Sequence, residues 1–237
     1  MNYFVIILIV GLLILIHELG HFIFAKLAGI PISVFSIGFG PKLYKWKRKE
    51  TEYRLSLIPL GGYIMPAVQD EKEFYRIPVL KRIFFTAGGP VANIILPLIV
   101  LIVMNVINYG ISIPGIFTEP FARLLKYLSN ILNSIPLLFS KPEALSGIVG
   151  IIAAGGQIIN SQFRNAINLL VILSLNLAVF NMLPIPALDG GKILLYLLEK
   201  IHPKFLKAQV PVTIAGWVLL IGLMIYATVN DVIKLVA

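Results

Sequence analysis

The sequence contains no cysteine. That excludes disulfides, thiolate metal ligands and a cysteine nucleophile, and it leaves the redox compartment open. Charge is also scarce. Only 13% of the 237 residues are Asp, Glu, Lys or Arg, against 58% hydrophobic, and the mean hydropathy is +0.92. A soluble domain of this length needs far more polar surface, so the composition predicts a membrane protein. Acids are the rarest charge, 11 against 20 bases, for a net +9. In a soluble protein that excess would suggest nucleic acid. In a membrane protein it marks cytoplasmic loops instead, and no nucleic-acid partner is expected. No basic segment precedes the first apolar run and no small-residue cleavage site follows it, so the N-terminus does not read as a cleavable signal peptide. Internal repeats and low-complexity tracts are missing too, and one domain is expected over residues 1–237.

What the chain does have is apolar runs long enough to cross a bilayer, which takes about 20 helical residues. Four are expected, at about 3–26, 88–106, 166–188 and 210–229, giving an α-helical multi-pass membrane protein. Most of the 20 basic residues lie between Lys26 and Arg82 or between Lys192 and Lys207. The positive-inside rule then puts these two loops in the cytoplasm and both termini on the extracytoplasmic side of the cytoplasmic membrane. The apolar stretch Leu145–Ile159 is short and glycine-rich, and reads as an external or half-inserted segment rather than a fifth span. In the first cytoplasmic loop, Val34–Phe39, Lys42–Trp46 and Tyr53–Ile58 read as short strands punctuated by Gly38, Gly40-Pro41 and Pro59. They predict a small membrane-associated β-sheet on the cytoplasmic side. Pro120–Phe139 has helical apolar spacing with interleaved polar residues, and predicts an external amphipathic helix on the bilayer surface.

The chemistry concentrates in two places. The first span contains His17-Glu18-Leu19-Gly20-His21. Residues four apart share a helical face, so both imidazoles can reach one metal ion while Glu18 faces its bound water. Tyr3 and His17 are separated by roughly 21 Å of helix, which puts the pair in the cytoplasmic half of the bilayer. Ionisable groups at that depth are costly unless a partner compensates them. A catalytic metal takes three protein ligands. The third span ends in Asn181-Met182-Leu183-Pro184-Ile185-Pro186-Ala187-Leu188-Asp189-Gly190-Gly191, and Asp189 is the acid near that end. The prolines break the helix, and Gly190 and Gly191 are expected to permit a tight reversal that aims Asp189 at the histidines.

Together, the HExxH of the first span and the Asn-x-x-Pro-x-Pro-x-Leu-Asp-Gly of the later one resemble the site-2 protease family of intramembrane zinc metalloproteases, in its bacterial regulator-of-sigma-E branch. Pro59-Leu60-Gly61-Gly62-Tyr63 resembles that branch's membrane-embedded β-loop. Gly88-Gly89-Pro90-Val91-Ala92-Asn93 resembles its motif opening the second span, and Ser146–Ile151 its stretch ahead of the third. The resemblance implies Zn2+ held by His17, His21 and Asp189, with Glu18 as general base and then acid. It implies that Asn181 contacts the substrate backbone. A spanning helix hides its peptide bonds, so a substrate must be held extended; Gly61, Gly62 and Tyr63 are the candidates to bind it by strand addition. The implied partners are the lipid bilayer and single-span membrane proteins, either anti-sigma-factor-like regulators or signal-peptide remnants. The chain departs from the family between spans two and three. Ile107–Asn165 is too short, and lacks the alternating strands, for a PDZ domain beside the amphipathic helix. Two other readings use the same ligands: a metal or solute transporter, and an inactive relative that binds membrane helices without cutting them.

Overall fold

The computed structural model describes residues 2–68, 71–140, 146–159, 162–202 and 204–236. Leu145, which opens the expected half-inserted segment, and Lys141 and Pro203 in the loops lie outside the described residues. Helix α1 (Asn2–Ala28) is followed by strands β1 (Ile32–Arg48) and β2 (Thr51–Pro66). A short α2 (Glu71–Arg76) leads to the long α3 (Val79–Tyr109). A π-helical turn, Pro114–Thr118, opens α4 (Glu119–Ser140). Then come α5 (Ile148–Ile159), α6 (Phe163–Asn181), α7 (Asp189–Ile201) and α8 (Lys204–Val236). Among the described residues, four helices are long and apolar enough to span: Tyr3–Ala28, Val79–Tyr109, Phe163–Asn181 and Ala208–Lys234. Their exposed side chains are large and apolar, such as Leu8, Ile99, Ile107, Ile214, Val218 and Ile225, as lipid-facing helices require.

The chain forms two compact units. One comprises Val10–Asn93 and Phe180–Gly216. Its sheet holds two antiparallel strands rather than three short ones, because β1 continues through Gly38, Gly40 and Pro41. The register pairs Phe35 with both Ile64 and Tyr53, and Ile37 with both Gly62 and Leu55. The first half of β1 therefore lies between the two halves of β2. Residues 61–63 are strand, not loop, with Gly62 and Tyr63 paired onto Ile37 and Ser36. Ala25, Ile30 and Ile32 form the core where α1 meets the sheet. Helix α3 begins nine residues before the expected span, at Val79, because Arg82 is buried there as part of an ion pair.

The other unit comprises Met1–Ile9, Ile94–Val179 and Trp217–Ala237. Helix α4 forms where the sequence predicts it. Its stripe Leu124, Leu128 and Ile131 packs on Leu101 of α3 and on Val171 and Leu175 of α6. Other large apolar side chains of α4, such as Leu125 and Leu132, stay exposed. Helix α5 has 12 residues and is too short to span. Its Gly155 and Gly156 lie against Ile6 and Tyr3 with no room for a side chain. The buried Asp231 of α8 accepts the N–H groups of Gly147 and Gly150, both at 2.8 Å, and so satisfies the start of α5.

Candidate metal centre

His17 and His21 sit one turn apart on α1, both buried. Their Nε2 atoms are 3.1 Å apart. Asp189 Oδ2 lies 3.1 Å from Nε2 of His17 and 3.3 Å from Nε2 of His21. Three donor atoms thus form a near-equilateral triangle. A tetrahedral ion with bonds of about 2.0–2.1 Å needs its donors roughly 3.3–3.4 Å apart. Two imidazole nitrogens and a carboxylate oxygen at this spacing fit a zinc ion. His17, His21 and Asp189 are also the group of potential metal-binding side chains found among the described residues.

The outer contacts orient each donor. The Nδ1–H of His21 donates to the carbonyl of Phe85 at 3.1 Å, which leaves Nε2 with its lone pair. The Asn93 amide nitrogen lies 3.2 Å from Nδ1 of His17 and supports that ring from α3. Lys192 Nζ donates to Asp189 Oδ1 at 3.3 Å, leaving Oδ2 to face the imidazoles. Gly89 is the point of closest approach of α3. A Cβ there would stand 2.5 Å from His21 Nε2 and 2.6 Å from His17 Nε2. Gly20 and Gly88 likewise let α1 and α3 touch backbone to backbone.

Asp189 reaches the pair by a route that differs in detail from the expected one. Helix α6 stops at Asn181, not Leu188, since Pro184 and Pro186 cannot continue it. The reversal is made at Ala187, which takes left-handed backbone at φ 85°, and at Leu188, which is extended. Gly190 and Gly191 are not the turn. They lie in the first turn of α7, where a Cβ would strike the carbonyls of Met182 and Ile185. Asp189 opens α7, and a carboxylate is favoured at that positive helix end. Gly216 of α8 in turn packs against the Pro186 carbonyl.

Glu18 is half-buried beside β2: a Cβ on Gly62 would come 3.3 Å from its Cγ. Gly61 has φ 133° and lies under the Phe39 ring. Tyr63 stacks on Phe39 and accepts a hydrogen bond from Arg54 at 3.0 Å. Near the sheet's exposed end, the Arg54 guanidinium beside Glu52 holds that carboxyl below its ordinary range. Asn181 is the last residue of α6 and half-buried. Groups that touch the metal-binding side chains include Asn93, Phe85, Gly89 and Lys192. Gly89 and Asn93 lie in the motif that opens the second span, and no role was expected for Asn93. Its signal was there: a polar side chain inside an apolar helix four residues after Gly89.

The chain is similar in sequence to known proteins. The sequence pattern of the family described as peptidase family M50 matches residues 5–225. A protein assigned as a zinc metalloprotease in Clostridium perfringens is 30% identical, over 93% of this chain and 95% of its own length. One in Campylobacter jejuni, similarly assigned, is 27% identical over 97% of this chain and 93% of its own. A third, from Thermotoga maritima, is 37% identical over 46% of this chain and 24% of its own.

Proposed function

This chain belongs to peptidase family M50, and from that premise we propose that it is a zinc-dependent endopeptidase cutting within or beside the membrane segments of single-span proteins. One observation carries the reading: two imidazoles and a carboxylate converge within 3.3 Å of one another on apolar elements, with a glutamate one residue away from the first histidine. His17, His21 and Asp189 would hold the ion. Bound there, zinc acidifies a water and polarises the scissile carbonyl.

Glu18 is the proton carrier. Its carboxylate takes the proton of the attacking water and returns it to the leaving amine. The outer half of β2 binds the substrate. Gly62 brings that strand's backbone to within side-chain reach of Glu18, so an unwound substrate segment added along residues 61–65 would present its peptide bonds beside the proton carrier. Asn181 contacts the substrate backbone in this reading, from the end of the helix that leads to Asp189. The Phe85 carbonyl holds the His21 tautomer that leaves Nε2 free to coordinate, and Asn93 steadies the His17 ring.

The protease is a multi-pass protein of the cytoplasmic membrane, with both termini outside and the β-sheet on the cytoplasmic side. Residues 1–237 work as one protease domain, in which Ile107–Asn165 is too short to hold a PDZ domain beside α4. The alignment with the Clostridium relative runs over 319 positions, more than the 237 residues of this chain, so that relative carries residues with no counterpart here. The substrates proposed are anti-sigma-like regulators or signal-peptide remnants.

The test uses purified protein and a panel of single-span substrates. Wild type is expected to hold about one zinc per chain and to cleave. Glu18→Gln is expected to keep the zinc and lose cleavage. Cleavage by Glu18→Gln overturns the mechanism. A wild type that binds zinc and cuts nothing in the panel favours a helix-binding or transport role.

A further inference from the structure

Arg82 is buried to 1% exposure, and both its charge and its ring-like plane are fully engaged. Its two terminal nitrogens donate to the two oxygens of Glu199 at 2.8 and 2.7 Å, and Nε donates to the Ile77 carbonyl at 2.9 Å. The rings of Tyr75 and Tyr196 stand 5.3 and 4.7 Å from the guanidinium carbon. Gln209 of α8 donates to Glu199 as well, at 3.1 Å. Burial pushes the Tyr196 phenol up to about 12.

The location gives this cluster a meaning for the metal centre. Arg82, Phe85, Gly89 and Asn93 follow one another at three- and four-residue steps, so they line one face of α3. Along that face, successive turns hold Glu199, the His21 ring, both imidazole edges and the His17 ring. Glu199 is on the same helix as Asp189, ten residues on, or about 15 Å along the axis. One face of α3 therefore takes its register from both ligand-bearing helices.

We propose that the Arg82–Glu199 pair is a positioning clamp for the metal centre, fixing α7 against α3 so that Asp189 meets the histidines. The inference rests on the zinc reading above. A buried ion pair is a poor means of gaining stability, since apolar residues of similar volume commonly serve as well or better. A bidentate arginine–carboxylate pair does something apolar packing does not: it admits one register and one orientation. Leucine and methionine side chains could slide past each other along α7; this fork cannot.

The test separates position from stability. Zinc affinity is measured by chelator competition, the cobalt-substituted protein gives the ligand-field spectrum, and melting is followed independently. Arg82→Met combined with Glu199→Leu is expected to melt near wild type. It should bind zinc at least about tenfold more weakly, with a changed cobalt spectrum, as loss of outer-shell support predicts. Should that double variant not fold, Arg82→Lys decides by the same two readouts, because it keeps the charge and loses the fork. A folded variant with zinc affinity within about twofold of wild type and the wild-type cobalt spectrum overturns the clamp alone. A wild type that takes up neither zinc nor cobalt overturns the metal reading, and the clamp falls with it.

Discussion

At the scale of single residues, the metal centre depends on side chains that are missing as much as on those present. Gly89 has no side chain because the two imidazole Nε2 atoms occupy that space. Gly89→Ala is therefore expected to displace both rings and weaken zinc binding by at least about tenfold, measured by chelator competition. Asn93→Leu keeps the volume and removes the hydrogen-bond partner of His17 Nδ1. It should cost about 10- to 100-fold in zinc affinity while the protein melts near wild type. The two histidines were legible as a pair from residue spacing, because a helix puts i and i+4 on one face, and Asp189 as the acid near the end of the third apolar run. Asn93, Lys192 and the Phe85 carbonyl were not. Each acts through contacts that only the approach of α3 or the start of α7 creates, and a backbone carbonyl leaves no mark in a sequence.

At the scale of elements, the four spanning helices were legible to within about three turns, whereas α7 stands where the sequence reads as a basic loop. Two boundaries moved for identifiable reasons. Helix α3 extends back to Val79 because Arg82, which reads as a loop residue, is neutralised by Glu199. Helix α6 stops at Asn181 because the chain needs seven residues of irregular backbone to turn Asp189 inward. The sheet was legible as strands but not as a register, since β1 pairs with two separate stretches of β2. Gly61 illustrates the consequence. At φ 133° and under Phe39, it keeps the outer half of β2 in line. Gly61→Ala is expected to raise KM for a single-span substrate severalfold with zinc content unchanged, read by steady-state kinetics beside metal analysis. In the other unit, Asp231 holds α5 through two backbone N–H groups. Removing it by Asp231→Ala leaves those donors buried, and should cost about 1–3 kcal/mol of stability in thermal or denaturant unfolding of purified protein.

At the scale of the whole molecule, the absence of cysteine makes orientation directly testable. A single cysteine at Asn108, exposed near the end of α3, should react with a membrane-impermeant maleimide in intact cells. One at Lys45, exposed on β1, should react only after permeabilisation. The reverse pattern would invert the topology proposed here. Multi-pass class and family were both legible, the first from scarce charge and the second from two motifs some 170 residues apart. Substrate identity was not, because in the strand addition proposed above the affinity comes from main-chain hydrogen bonds.

Zinc-edge X-ray absorption on purified Glu18→Gln, with and without the added change Asp189→Ala, tests the convergence of the three ligands most directly. The account predicts two imidazole nitrogens and one carboxylate oxygen at about 2.0–2.1 Å in the first protein, and loss of the carboxylate or of the metal in the second. A zinc environment identical in both proteins would contradict it.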